Sequence, residues 1–179
     1  GKAVVKRNVY GGGNYGATGI SSSLSSNSTN IKIKGGTVNG SVYGGGNNNG
    51  SGSSSKISNI TIEMTDGIIE GSIYGGANKL GVVYGEVNLN VTGGTVNGSV
   101  YGGGEGGYQS STNSGTFVTR NINVTIGKEN SSNASPVIKT SVYGGSAFGT
   151  VNGNTRGTNV SDYETNVNVY SGTINNVFG

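Results

Sequence analysis

Short runs of alternating apolar and polar residues recur along the chain and set its architecture. Ile31 and Ile33 flank Lys32, Ile60, Ile62 and Met64 enclose Thr61 and Glu63, and Val87, Leu89 and Val91 enclose Asn88 and Asn90. The pattern returns at Ile122, Val124 and Ile126 around Asn123 and Thr125, and at Val167 and Val169 around Asn168. A period of two puts the apolar side chains on one face of a strand and the polar ones on the other. No stretch sustains the 3.6-residue spacing of an amphipathic helix, so the chain is predicted to be all-β.

A second pattern follows each alternating run. Gly35 to Gly46 reads Gly-Gly-Thr-Val-Asn-Gly-Ser-Val-Tyr-Gly-Gly-Gly, and it returns residue for residue at Gly93 to Gly104. Looser copies are Val5 to Gly13, Ile69 to Gly76, Ile138 to Gly145 and Gly172 to Gly179. Their aromatic residues, Tyr10, Tyr43, Tyr74, Tyr101, Tyr143 and Phe178, are 33, 31, 27, 42 and 35 residues apart. From the last apolar residue of the alternating run to the aromatic is ten residues in three copies, nine in the last and seventeen before Tyr143. The extra seven fit an insertion within Gly127 to Pro136. Other variation follows each Tyr-Gly-Gly, in the Gly-, Ser- and Asn-rich stretches Asn14 to Thr29, Asn47 to Ser58 and Glu105 to Gly115, where loops are expected. The shortest interval, Tyr74 to Tyr101, carries Leu80-Gly81-Val82-Val83-Tyr84, which reads as a third short strand echoed by Thr116-Phe117-Val118.

Strands that cannot bury their apolar face alone, repeated every 27 to 42 residues, point to stacked coils around one narrow core. The fold expected is a parallel β-helix, or β-solenoid, of about six coils with two to three short strands per coil. At about 4.8 Å per coil it makes a rod on the order of 25–30 Å long. A propeller is the competing architecture, but its blades need four strands, which a 27-residue unit cannot supply.

Comparing the copies with one another separates core from surface. Val38 is matched by Val5, Ile69, Val96, Ile138 and Ile174, and Val42 by Val9, Ile73, Val100, Val142 and Val177, so both positions are read as core ladders. Asn39-Gly40 gives way to Lys6-Arg7, Glu70-Gly71, Lys139-Thr140 and Asn175-Asn176, as an exposed bend tolerates. The aromatic position carries two readings. It is a ladder of rings that contacts a ligand such as a glycan, or a stack packed at a corner beneath the glycines. Phe178 dispenses with the hydroxyl, which favours packing. The glycines that follow serve either close approach of neighbouring coils or positive φ.

Composition narrows the chemistry. The 179 residues include 37 glycines, one proline and no cysteine, histidine or tryptophan. Zinc fingers, thiol or histidine catalysis and disulfide frames are thereby excluded. The net charge of +3 comes from basic residues spread along the chain, only Lys6 and Arg7 being adjacent, so no nucleic-acid-binding face is expected. No apolar run is long enough for a membrane-spanning helix. The acids are Glu63, Asp66, Glu70, Glu86, Glu105, Glu129, Asp162 and Glu164. Asp66 and Glu70 are close but unrepeated in other copies, so no catalytic pair, metal site or cofactor is predicted.

The Gly-Gly-Thr-Val-Asn-Gly-Ser-Val-Tyr-Gly-Gly-Gly unit, with its preceding alternating strand, resembles repeats of large bacterial surface and secreted β-helical proteins of the autotransporter-passenger and adhesin type. That resemblance implies a right-handed parallel β-helix, a hand that also agrees with the general chirality of β-crossovers. It further implies export to the cell surface or medium and a role as a stalk or adhesive surface. The partners expected are a host-surface or glycan ligand, and other copies through the terminal coils. Residues 1–179 are expected to form one β-solenoid segment of a longer repeat protein. The functions anticipated are a non-enzymatic structural or adhesive rod, a fibre subunit stacking end to end, and a carbohydrate-binding or polysaccharide-active β-helix.

Overall fold

A computed structural model describes residues 2–14, 16, 18, 28–47, 56–107, 115–131, 135–153 and 162–179. Among them there is no helix, hence none long and apolar enough to cross a membrane. Strands form one sheet of thirteen and one of four, and each strand pairing is parallel. Since parallel neighbours cannot be joined by a tight hairpin, the chain must travel away and return between them.

The returns fall in four ladders. The alternating runs make the first: Ile31 pairs with Ile62, Ile62 with Leu89, Leu89 with Val124 and Val124 with Val167. The second joins Val5, Val38, Ile69, Val96, Ile138 and Ile174 in turn, and the third joins Val9, Val42, Ile73, Val100, Val142 and Val177. The small sheet is the fourth, made of Lys56–Ile57, Gly81–Val83, Thr116–Val118 and Thr150–Val151. Gly81–Val83 and Thr116–Val118 are the third strands expected from sequence. The other two escape detection because two residues are too few to show a period.

Apolar alternation becomes burial as anticipated. Ile60, Ile62, Met64, Val87, Leu89, Val91, Ile122, Val124 and Ile126 are fully buried, and they join Val42, Ile73, Val100, Val142, Val83 and Val118 in one core. The polar residues between them face out, where Lys32 pairs with Glu63 at 3.1 Å and Asn123 links Asn88 to Asn166.

Two details go beyond the sequence reading. The alternating run and the start of the glycine motif form one strand, since Ser28–Val38 is continuous and absorbs Gly35-Gly36 as a register shift against Asn59–Ile69. Two of the stretches read as loops also carry sheet near their ends, at Ser28 and Thr29 and at Lys56 and Ile57, and Thr18 bridges to Ile57. Most of those loops (15, 17, 19–27, 48–55 and 108–114) lie outside the described residues. The insertion before Tyr143 is visible in the register. Three residues separate Val91 from Thr95, whereas ten separate Ile126 from Val137 at matching positions.

Candidate functional site

The six aromatic residues singled out by the repeat come together in one column. The valine or isoleucine before each inner ring, Val42, Ile73, Val100 and Val142, is committed to the core, so the next side chain along the strand must emerge at the opposite face. In-register parallel pairing then sets like rings above one another. Tyr10, Tyr43, Tyr74, Tyr101, Tyr143 and Phe178 stack with centroids 5.1, 5.0, 4.9, 4.7 and 4.8 Å apart. Their planes differ by only 2–8°. This is the strand spacing itself, and offset-stacked pairs at such distances are worth about 0.5–1.5 kcal/mol each beyond burial. Tyr43 and Tyr74 are buried, Tyr10, Tyr101 and Tyr143 half-buried, and Phe178 exposed. Every inner ring covers the faces of its neighbours. A ligand approaching the column meets ring edges along its length and an open face only at its ends.

The first glycine after each tyrosine of the column is required by close approach. A Cβ on Gly44 would lie 2.3 Å from the carbonyl oxygen of Gly75, and one on Gly102 would lie 2.3 Å from that of Gly144. Positive φ belongs elsewhere, to Gly36 and Gly94 ahead of the second ladder.

A polar ladder beside the hydroxyls was not anticipated. Asn47 donates to Asn14 at 2.7 Å, and Asn78 donates to Asn47 at 2.8 Å and to the Tyr10 hydroxyl at 3.3 Å. Glu105 occupies the corresponding place next in the series, its N–H bonded to the Ala77 carbonyl. The signal was present in the sequence, since Asn14, Asn47, Asn78 and Glu105 each stand four residues beyond a column tyrosine. Glu105 Oε2 accepts the Tyr43 hydroxyl proton at 2.5 Å. Burial, then this carboxylate, hold the Tyr43 hydroxyl protonated far above the usual tyrosine range. For Tyr74, burial and the Glu105 charge push the pKa up to about 12.

Replacing Tyr43 by phenylalanine leaves the stack and strips Glu105 of its donor. A loss of about 1.5–3 kcal/mol is expected, as for a hydrogen bond to a charged group. Urea unfolding of Tyr43→Phe measures it, and an unchanged midpoint would mean that the carboxylate is satisfied by solvent.

The remaining acids are dispersed. Asp66 accepts the N–H of Gly67, Glu70 accepts the amide of Asn97, and Glu63 pairs with Lys32. Among the described residues no three His, Cys, Asp or Glu side chains gather where they could hold a metal ion. No family model, curated protein or solved structure matches the chain.

Proposed function

We propose that the chain is a stiff, non-enzymatic rod segment, a right-handed β-solenoid of about six coils, that works by display at the cell surface or outside the cell. Its parallel ladders supply rigidity, and the segments between them supply contact surface. The observation that carries this reading is the aromatic column, which holds one register from Tyr10 to Phe178. The spacing of those same residues varies from 27 to 42. A scaffold whose internal register ignores the length of its connections is suited to carrying interchangeable surface segments. Placement outside the cell rests on the resemblance to surface β-helical repeats.

Negative-stain electron microscopy of the purified chain over a range of concentrations tests this. Separate rods of one short length at every concentration support display. Filaments that lengthen with concentration would replace it with end-to-end assembly as the activity.

The register also specifies a loop exchange. Asn47 and Asn78 are ladder neighbours, and Lys56 pairs with Val82. Residues 48–55 therefore span the same gap as residues 79–81. Replacing the eight by Lys-Leu-Gly should leave cooperative unfolding intact, with stability changed by about 1 kcal/mol or less from loop length alone. Loss of cooperativity in that variant would show that residues 48–55 belong to the folded scaffold.

A further inference from the structure

Outside the aromatic column, one open groove lies along the polar face of the alternating strands. Its volume is about 390 Å³, within the range of roughly 300–1,000 Å³ usual for small-ligand sites. The floor is made by outward side chains of successive strands, Glu63 beside Asn90 in the ladder, with Thr92 at the strand end. The wall is built differently. At Gly127, where φ is 78°, the chain enters the ten-residue segment that replaces the three-residue connection used one strand earlier. Lys128 and Glu129, exposed at the start of that segment, line one side. Tyr170 lines the groove from the end of the next strand, in register with Gly127, through its N–H bond to the Ile126 carbonyl. Its ring is 49 % exposed and takes no part in the column.

We propose that this groove is a binding site for a neutral oligosaccharide, with the Tyr170 ring as the platform for one sugar face and Asn90, Thr92 and Glu129 as hydrogen-bond partners for hydroxyls. The proposal rests on the display reading above and names what the rod would hold. A half-exposed tyrosine offers an apolar face with a polar tip, and its neighbours offer donors and acceptors on short side chains. Pyranoses present that combination, with C–H groups on one face and hydroxyls around the rim. Charge selects within the class. Lys32 offsets Glu63, and Lys128 stands next to Glu129, so the groove carries no surplus of positive charge to hold carboxylated or sulfated chains. Phosphate backbones are disfavoured for the same reason. An extended peptide is disfavoured on the floor because its strands are paired on both sides, the free edge of the sheet lying beyond it at Thr165–Val169.

The test uses the whole 179-residue chain in isothermal titration calorimetry against a panel of neutral oligosaccharides of two to six sugars. Uronic-acid and sulfated chains serve as comparators. Saturable binding of a neutral chain is expected, weakened at least tenfold by Tyr170→Ala, little changed by Tyr170→Phe and weakened by Asn90→Ala. Thermal unfolding of each variant should match the parent. Neutral-glycan binding that survives both Tyr170→Ala and Asn90→Ala would overturn the assignment of the groove. No binding by the parent at millimolar ligand, or preference for an anionic chain lost with Lys128→Ala, would overturn the ligand class. Rods of one length on the microscope grid would meanwhile leave the display reading standing, so the two failures are distinguishable.

Discussion

Gly75→Ala is expected to abolish cooperative folding, the largest effect expected of a single added methyl group among the described glycines. A Cβ at residue 75 would lie 2.0 Å from the carbonyl oxygen of Gly102 and 2.5 Å from Cγ1 of the fully buried Val87. Neither neighbour can yield cheaply. Gly75 donates its N–H to Tyr101 at 2.8 Å, and the Gly102 N–H is bonded to Tyr143 at 2.9 Å, so displacing one strand disturbs the next and the rings beside it. Overpacking against movable side chains commonly costs about 1–3 kcal/mol, and contact with a pinned backbone exceeds that. Against a total stability of roughly 5–15 kcal/mol, the loss leaves little or no folded population at ambient temperature. Gly115→Ala is the control, since a Cβ there meets nothing within 4 Å. It should change stability by about 0.5 kcal/mol or less. Urea titrations followed by circular dichroism compare the two, and a parental midpoint for Gly75→Ala would refute close approach as the reason for glycine.

The contrast between these glycines shows how far the sequence could be read. Six copies of one motif in a single chain act as a substitution experiment. The acceptance of only valine or isoleucine at positions 38 and 42 and their equivalents located the core ladders from Val38 to Ile138 and from Val42 to Val142, whereas Val5 and Val177, read as members too, are exposed because they lie in the end strands. What separates Gly44 from Gly36 is invisible to that comparison. Both are glycines of the same motif, and a Cβ on either would lie 2.3 Å from a carbonyl oxygen, that of Gly75 or that of Ala3, yet Gly36 alone also holds a φ of 81°. The Asn14, Asn47, Asn78 and Glu105 ladder was missed for a different reason. Asn14 and Asn47 fall at the edge of stretches rich in asparagine and serine, where composition hides a fixed spacing from the aromatic, and at Glu105 the residue type changes. Tyr170 has no counterpart in the other copies, so repetition could not single it out. Only the groove that it lines together with Lys128 does so. Repetition thus reveals scaffold, and a departure from repetition has to be seen in space before it suggests a site.

Alkaline solution should unfold the chain in a way set by the same column. Tyr43 and Tyr74 are 5 % and 8 % exposed, and both hydroxyls are held protonated in the folded state, by burial first and then by Glu105. In the unfolded chain a tyrosine ionises near its ordinary value of about 10. Below that pH both states keep their protons and stability is constant. Above it the unfolded chain releases protons that the folded one retains, so stability falls by about 1.4 kcal/mol per pH unit for each such group. The fall runs from about pH 10 through the folded value of Tyr74, about 12, and continues beyond it for Tyr43. By pH 12 the two together remove on the order of 3–5 kcal/mol, a large part of a domain's margin. A pH titration that follows phenolate absorbance and circular dichroism together should show ionisation of Tyr43 and Tyr74 coinciding with loss of sheet. Tyr74→Phe, which keeps the ring and removes one of the two protons, should move that transition to higher pH. Smooth ionisation of all ten tyrosines with the sheet signal intact would mean that solvent already reaches the column hydroxyls, and that Glu105 neither protects nor restrains them.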